Sequence, residues 1–127
     1  MPFVRISVDE SRTQEQLKMI SEGVYNSLVE SINTPIDDKF QVISRHSKDE
    51  LIFDENYLGI KRSVGFVLIQ IFLYPGRTVE QKKLLYQTIA DKLGRDAEVR
   101  KEDVWINIVE VPKENWSYGK GEAQFAE

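Results

Sequence analysis

The sequence contains an internal repeat with a spacing of 65 residues. Residues 12–18, RTQEQLK, return as residues 77–83, RTVEQKK, with five identities in seven positions. The same spacing, without gaps, places Val4, Ile6 and Val8 on Ile69, Ile71 and Leu73, and Phe40 and Ile43 on Trp105 and Ile108. We therefore expect two units of one kind, about residues 2–46 and 67–111, followed by a tail over residues 112–127.

Four segments have the pattern of β-strands. Near the amino terminus Val4, Ile6 and Val8 alternate with other residues, which is the period of a strand with one apolar face. Residues 40–44 form the predicted return strand of the first unit, and residues 66–74 and 104–111 form the strands of the second. Because the third of these segments is almost continuously apolar, we expect it to be buried on both faces.

A helix is predicted between the two strands of each unit. In the first unit a capping box that begins at Ser11 or at Thr13 opens the helix, and residues 33–35, NTP, close it. The apolar stripe of this helix is Leu17, Ile20, Val24, Leu28 and Ile32. In the second unit Thr78 is the predicted cap of a helix that runs to about Leu93.

Two βαβ units of this size predict an α+β fold, a four-stranded mixed sheet with both helices on one face. The helices would leave the second face of the sheet bare. A partner subunit is the simplest cover for that face, so we expect self-association. The linker from Ser47 to Ser63 carries a short apolar stretch, Leu51-Ile52-Phe53, and is either an edge hairpin or the rim of an active site.

Length and composition restrict the class of protein. At 127 residues the chain is expected to be a single domain, residues 1–127, and no apolar run approaches the roughly 20 residues that cross a bilayer. We see no export or import signal and expect a cytoplasmic location. The chain has no cysteine and one histidine, His46, so we expect no structural metal. A net charge of -4 argues against a nucleic-acid partner.

The residue that most invites a chemical interpretation is Pro2. Loss of Met1 would leave a secondary amine, fixed by its ring, at the start of a strand. A free α-amino group has a pKa of about 7.7–8.0, and burial or nearby cations would lower this pKa toward that of a general base. Nearby carboxylates would instead keep the amine cationic. A proline that is simply tolerated at the first position of a strand is the other interpretation.

Four further segments are informative in addition to the repeat and Pro2. They are Asp38-Lys39-Phe40-Gln41, Arg62-Ser63, Tyr74-Pro75-Gly76-Arg77-Thr78 and, in the tail, Trp116-Ser117-Tyr118-Gly119-Lys120-Gly121. Together they resemble the malonate semialdehyde decarboxylase group of the tautomerase superfamily. The resemblance covers nearly the whole chain, and the tail segment is its most specific part. It implies a homotrimer of βαβ units, an amino-terminal catalytic proline and no cofactor.

The resemblance also implies roles for individual residues. Pro2 matches the catalytic proline, and Asp38 matches an aspartate that lies near it and helps to position or activate water. Arg77 matches an arginine that binds the substrate carboxylate, for which a planar cationic fork is suited. The pocket walls that contact substrate would come from Tyr74, Trp116 and Tyr118.

The repeat offers a structural alternative for two of these residues. Asp38 has the mate Asp103, so it is either functional or a residue that caps the start of a strand. Arg77 has the mate Arg12, so it either binds substrate or forms an ion pair at the start of a helix. Tyr74 also occupies the place where some decarboxylases of this group carry a second arginine, and a two-arginine clamp is therefore not available.

Three functions remain open on the sequence. The first is a cofactor-independent tautomerase in which Pro2 moves a proton between carbon and oxygen of a small enol or oxo acid held by Arg77. The second is a malonate semialdehyde decarboxylase, a lyase, with cationic Pro2 and Asp38. The third is a non-catalytic trimeric binding protein that retains Met1, so that Pro2 has no free amine. The pKa of Pro2 decides between the first two.

Overall fold

The computed structural model describes residues 2–126 and contains the predicted elements in the predicted order. The strands are β1 (Phe3–Asp9), β2 (Phe40–His46), β3 (Val67–Leu73) and β4 (Val104–Glu110), and the helices are α1 (Gln14–Ile32) and α2 (Val79–Asp96). Both helices and all four strands therefore agree with the sequence expectation. The differences lie at element ends, where β2 runs two residues further than expected and α2 continues three residues beyond Leu93.

The four strands form one mixed sheet in the order β2-β1-β3-β4. β1 is parallel to β2 and antiparallel to β3, and β3 is parallel to β4. Phe3 of β1 pairs with Phe40 and Phe72, whereas Val8 pairs with Val67, the first residue of β3. The two units therefore start at opposite ends of the sheet, which we call the Pro2 end and the Asp9 end.

The helices cover one face of the sheet and enclose the hydrophobic core. This core takes alternate residues from the central strands and the apolar stripes of both helices: Val4, Ile6, Val8, Val67, Ile69, Ile71, Leu73, Ile20, Val24, Leu28, Leu85, Ile89 and Leu93. All of them are at most 2% exposed. The period of two along the strands and the helical spacing along α1 and α2 thus point to one common interior.

Each helix begins at a threonine with a complete capping box. The Thr13 side chain accepts a bond from the Gln16 backbone, and the Gln16 side chain accepts one from the Thr13 backbone. Thr78 and Gln81 repeat this arrangement in the second unit. Of the two caps considered for the first helix, the structure therefore contains the one at Thr13, because the hydroxyl of Ser11 bonds to Asp9 instead.

The second face of the sheet, which we call the open face, is covered by no helix among the described residues. Linker residues such as Phe53 and Tyr57 only border a cavity beside Leu68 and Trp105. Alternate residues of β3, such as Phe72, are only partly buried, so the expected burial of β3 on both faces is not reached in one chain. On the neighbouring strands Phe40 is 58% exposed, Val42 41% and Trp105 51%. Among the described residues no helix is long and apolar enough to cross a membrane.

The linker between the two units is not a hairpin. Residues 47–63 form no strand and contain one short 3-10 turn, Tyr57–Gly59. Phe53 stacks on Phe66 with ring centroids 4.5 Å apart, which fixes the linker beside the start of β3. The linker therefore lies at the Asp9 end of its own chain.

Candidate active site

Pro2 lies at the edge of the sheet where three strands meet. It is buried and directly precedes β1, whose first residue pairs with the first residue of β2 and with the end of β3. Neighbouring strands are about 4.8 Å apart and one residue adds about 3.3 Å. The backbones of Asp38 and Tyr74, which flank those strand ends, are therefore close to Pro2. Met1, whose removal the catalytic interpretation requires, is outside the described residues.

Asp38 is a buried carboxyl group at the Pro2 end. Its side chain is 4% exposed, and its backbone N–H donates to the carbonyl of Pro35 at 3.2 Å. Burial raises the pKa of Asp38 above its ordinary value. Its mate Asp103 is also buried but accepts bonds from the Ser63 backbone N–H at 2.7 Å and from the Ser63 hydroxyl at 2.6 Å. Asp103 thus anchors the loop at Ser63. The first unit of the repeat has no residue equivalent to Ser63, so Asp38 does not serve this purpose.

Three aromatic side chains, one directly after β3 and two in the tail, form one cluster near Asp38. Trp116 donates from its indole N–H to the carbonyl of Val111 at 3.0 Å, stacks on Tyr118 with centroids 5.5 Å apart and meets Tyr74 edge-on at 6.1 Å. The hydroxyls of Tyr74 and Tyr118 are 2.7 Å apart. Burial, followed by the bond to Tyr74 and the negative charge of Asp38, raises the pKa of Tyr118. The structure therefore brings Tyr74, Trp116, Tyr118 and Asp38 together.

Arg77 presents a guanidinium without a carboxylate partner. Nη1 donates to the carbonyl of Tyr74 at 3.3 Å, and within residues 2–126 no carboxylate lies within ion-pair distance of this side chain. The side chain is half-buried. A guanidinium has five N–H donors, so most of them remain available to an anion.

Its mate Arg12 is held by the protein itself. Arg12 is 8% exposed and donates from Nη2 to the carbonyl of Gly65 at 2.6 Å. Burial lowers the pKa of Arg12, while the charges of Asp103 and Asp9 oppose that effect. The repeat spacing places Asp9 on Tyr74, so a tyrosine replaces a carboxylate at the Pro2 end. This replacement removes a negative charge from the neighbourhood of Arg77. Neither arginine forms an ion pair among the described residues, but Arg12 is bonded to a carbonyl and lies in the field of Asp103 and Asp9.

The tail contributes contacts that the sequence analysis missed. The Tyr118 backbone N–H donates to Oε1 of Gln124, and Nε2 of Gln124 donates to the carbonyl of Gly119, both at 2.9 Å. Phe125 meets Tyr118 edge-on at 5.8 Å, and Nζ of Lys113 lies 5.6 Å from the ring centroid of Tyr74. Only the mixture of aromatics and glycines in the tail indicated that this segment packs against something.

The linker does not line this site in its own chain. A cavity of about 330 Å³ lies between the linker and the end of β1, with Asp9, Phe53 and Ser63 among its lining residues. It belongs to the Asp9 end, opposite Pro2. His46 closes β2 at that same end, in register with Asp9.

The Pro2 end thus combines a buried proline, a buried carboxyl group, two hydrogen-bonded phenols and an uncompensated guanidinium. This set can bind a carboxylate and exchange protons with the atoms next to it. Among the described residues no three His, Cys, Asp or Glu side chains are grouped so that they could hold a metal ion.

Comparison with known proteins shows the family of the chain. Two family models, each described as "Tautomerase enzyme", match residues 38–119 and residues 2–61. The first of them spans more than half of the chain, so the protein belongs to the tautomerase family. The fold described above is accordingly a tautomerase-like fold.

Individual relatives agree with this assignment. The chain is 41% identical over 127 residues to the Bacillus subtilis (strain 168) protein named "Probable tautomerase YusQ", and the match covers 100% of both. It is similar to the crystal structure of FG41 malonate semialdehyde decarboxylase inhibited by 3-bromopropiolate, with a TM-score of 0.91, 34% identity, and coverage of 97% of this chain and 93% of that one. A fused 4-OT wild-type symmetric trimer shares the fold at a TM-score of 0.78 and 17% identity, with 94% of each chain covered.

Proposed function

We propose that the chain, after loss of Met1, is a cofactor-independent tautomerase of a small enol or oxo acid. The observation that carries the proposal is the contrast between the two arginines of the repeat. Arg12 is buried among protein acceptors, whereas Arg77 keeps its charge for a ligand beside Pro2. A carboxylate on Arg77 would place the adjacent carbon atoms of the substrate against the proline nitrogen.

The reaction needs one proton carrier. In ketonisation the Pro2 nitrogen takes the proton of the enol hydroxyl, and the C–O bond becomes a carbonyl. The electron pair of the carbon–carbon double bond then takes a proton from the same nitrogen at C3. The amine must be neutral at the start. Burial of Pro2 favours its neutral form, whereas an ionised Asp38 beside it would favour the cationic form that the decarboxylase alternative uses. Asp38 would be a second proton-exchanging group, because its raised pKa makes it a better base than an ordinary aspartate.

Decarboxylation of malonate semialdehyde is the second candidate. The observation that favours it is the similarity to FG41 malonate semialdehyde decarboxylase over nearly the whole chain. In that reaction a cationic Pro2 would polarise the aldehyde carbonyl while carbon dioxide leaves and the electron pair moves toward oxygen. A third alternative, a binding protein that retains Met1, is separated from both by the intact mass of the protein from its own host.

The acting form would be a homotrimer of single-domain chains in the cytoplasm. Two facts support the trimer: the open face exposes Phe40, Val42 and Trp105, and the fused 4-OT protein of the same fold is a symmetric trimer. A cyclic trimer of this kind would bury the open face of each chain at its axis.

The test compares two substrates and two proteins. Ketonisation of phenylenolpyruvate and decarboxylation of malonate semialdehyde are measured with Met1-free protein and with its Pro2→Ala variant. We expect ketonisation to be the faster reaction and to fall at least about 10²-fold in the variant, as for loss of an acid–base group. Faster decarboxylation that needs Pro2 would select the second candidate. If neither substrate reacts, or if the variant equals the parent, the catalytic proline is wrong.

A further inference from the structure

The Tyr74 and Tyr118 hydroxyls form a hydrogen bond whose direction has a functional meaning. They are 2.7 Å apart, and either oxygen can be the donor. A phenol has one proton, so the tyrosine that donates within the pair has none left for a ligand, while the accepting tyrosine keeps its own. The direction therefore decides which of the two residues can donate to a substrate.

The charges around the pair favour Tyr74 as the donor. The ammonium of Lys113 lies 5.6 Å from the ring centroid of Tyr74, and a cation over a phenol ring stabilises negative charge on it and strengthens its O–H as a donor. The surroundings of Tyr118 have the opposite effect: burial is the main cause that raises its pKa, followed by the bond to Tyr74, and the negative charge of Asp38 adds to both, so this hydroxyl holds its proton. Tyr118 is thus the better acceptor within the pair and retains its own proton.

The tail holds the Tyr118 ring on several sides. Trp116 stacks on one face at 5.5 Å, Phe125 meets the ring edge-on at 5.8 Å, and Gln124 bonds to the backbone N–H of Tyr118 at 2.9 Å. A donor that is fixed before the substrate arrives needs little reorganisation when charge develops on its acceptor. Arg77 does not fill this role, because it is assigned to the carboxylate.

We propose that Tyr118 is a catalytic residue whose hydroxyl donates a hydrogen bond to the substrate oxygen that changes between enol and keto forms. Tyr74 is then a positioning residue that donates to Tyr118, and Lys113 sets the direction of that bond. This inference rests on the proposed function. No net proton leaves Tyr118: Pro2 moves the reacting proton from oxygen to C3, and the phenol stabilises the charge on that oxygen throughout.

Binding of two ligands tests the assigned donor without turnover. In the Pro2→Ala background, calorimetry compares phenylpyruvate with 3-phenylpropionate, which lacks the oxo group. The background protein should bind the oxo acid about tenfold more tightly, as expected for one hydrogen bond. Tyr118→Phe should remove that preference, whereas Tyr74→Phe should keep most of it, because Tyr118 retains its proton for the ligand. Lys113→Met should weaken the preference, because the direction of the bond between the two tyrosines is then no longer set. A preference that survives Tyr118→Phe, or that Tyr74→Phe removes equally, would overturn the inference.

Kinetics in the Pro2-containing protein separate this inference from the proposed function. Tyr118→Phe should lower kcat for ketonisation about 10²-fold, in the range for one lost donor to a developing oxyanion, and Tyr74→Phe about tenfold or less. Turnover that depends on Pro2 but not on Tyr118 would refute the inference alone. If the parent neither binds the acids nor turns over phenylenolpyruvate, the proposed function and the inference are both wrong.

Discussion

Arg12 and Arg77 occupy the same place in the two units, and their different neighbours predict different effects of the same substitution. Arg77→Met should lower kcat/KM for a carboxylate substrate roughly 10- to 100-fold, the value of a charge-assisted bond, with little change in stability. Arg12→Met should destabilise the fold by about 1–3 kcal/mol, because it leaves the carbonyl of Gly65 without its donor. Urea unfolding and steady-state kinetics on both variants check this. Equal effects of the two substitutions would contradict the assignment.

The buried carboxyl of Asp38 predicts a pH dependence of stability. Its pKa is raised above 3.8, so the folded chain binds this proton more tightly than the unfolded chain. The resulting stabilisation is present below the unfolded pKa and is lost as pH rises through the raised pKa. Relative to Asp38→Asn, the parent should therefore lose stability as pH rises from below 3.8 through the raised pKa, measured as urea midpoints. The opposite slope would indicate a carboxylate paired with a cation, as the decarboxylase alternative requires.

At the scale of elements, much of the fold could be predicted because its signals are local. The alternation of apolar residues predicts β1, the helical stripe predicts α1, and the repeat predicts that the second unit has the same elements. The structure contains all of these elements. The site was predictable only as far as the resemblance named its residues. The different hydrogen-bond partners of Arg12 and Arg77 depend on how distant segments meet in the fold. The same holds for the bonds that connect Gln124 to the backbone around Tyr118. No local pattern encodes these contacts, so only the fold reveals them.

The two capping boxes have the same geometry, but only the box of α2 lies next to the candidate active site. In each, the bonds between threonine and glutamine are 3.1 and 2.9 Å long. Thr13→Ala and Thr78→Ala should each cost about 1 kcal/mol of stability. Because Thr78 directly follows Arg77, its loss should also loosen that guanidinium and raise KM. Thermal unfolding and kinetics of the pair check this prediction, and an equal KM in both variants would count against it.

Two helix glycines predict opposite effects of alanine. At Gly23 of α1 an added Cβ would lie 2.7 Å from Cδ2 of Leu93, a fully buried side chain of α2. At Gly94 of α2 the nearest atom would be the Val99 carbonyl oxygen at 3.5 Å, an ordinary contact. Gly23→Ala should therefore destabilise the protein by about 1–3 kcal/mol through overpacking, while Gly94→Ala should stabilise it by about 0.5–1 kcal/mol. The urea midpoints of both variants test this prediction. An unchanged midpoint for Gly23→Ala would mean that α1 and α2 can move apart enough to accommodate the added methyl group.

At the scale of the whole molecule, the repeat has become asymmetric. At the Asp9 end the mates of the site residues serve the fold: Asp103 anchors Ser63, and Arg12 is bonded to Gly65. The chain also continues through that end, so no free amine can form before β3. At the Pro2 end the corresponding positions keep a buried carboxyl and an uncompensated cation. One site per chain is therefore expected, and an assembly would contain as many sites as chains.

The open face predicts how that assembly forms. A chain of 14.8 kDa should sediment as a trimer, because burial of Phe40, Val42 and Trp105 removes large apolar surface from water. Val42→Asp places a charge on this face and should yield monomers. Leu84→Asp is the matched control, since Leu84 is also exposed, at 51%, but lies on α2. Sedimentation velocity on both variants, with circular dichroism to verify folding, distinguishes them. A trimer that survives Val42→Asp but not Leu84→Asp would place the interface on the helices and leave the open face without its proposed partner.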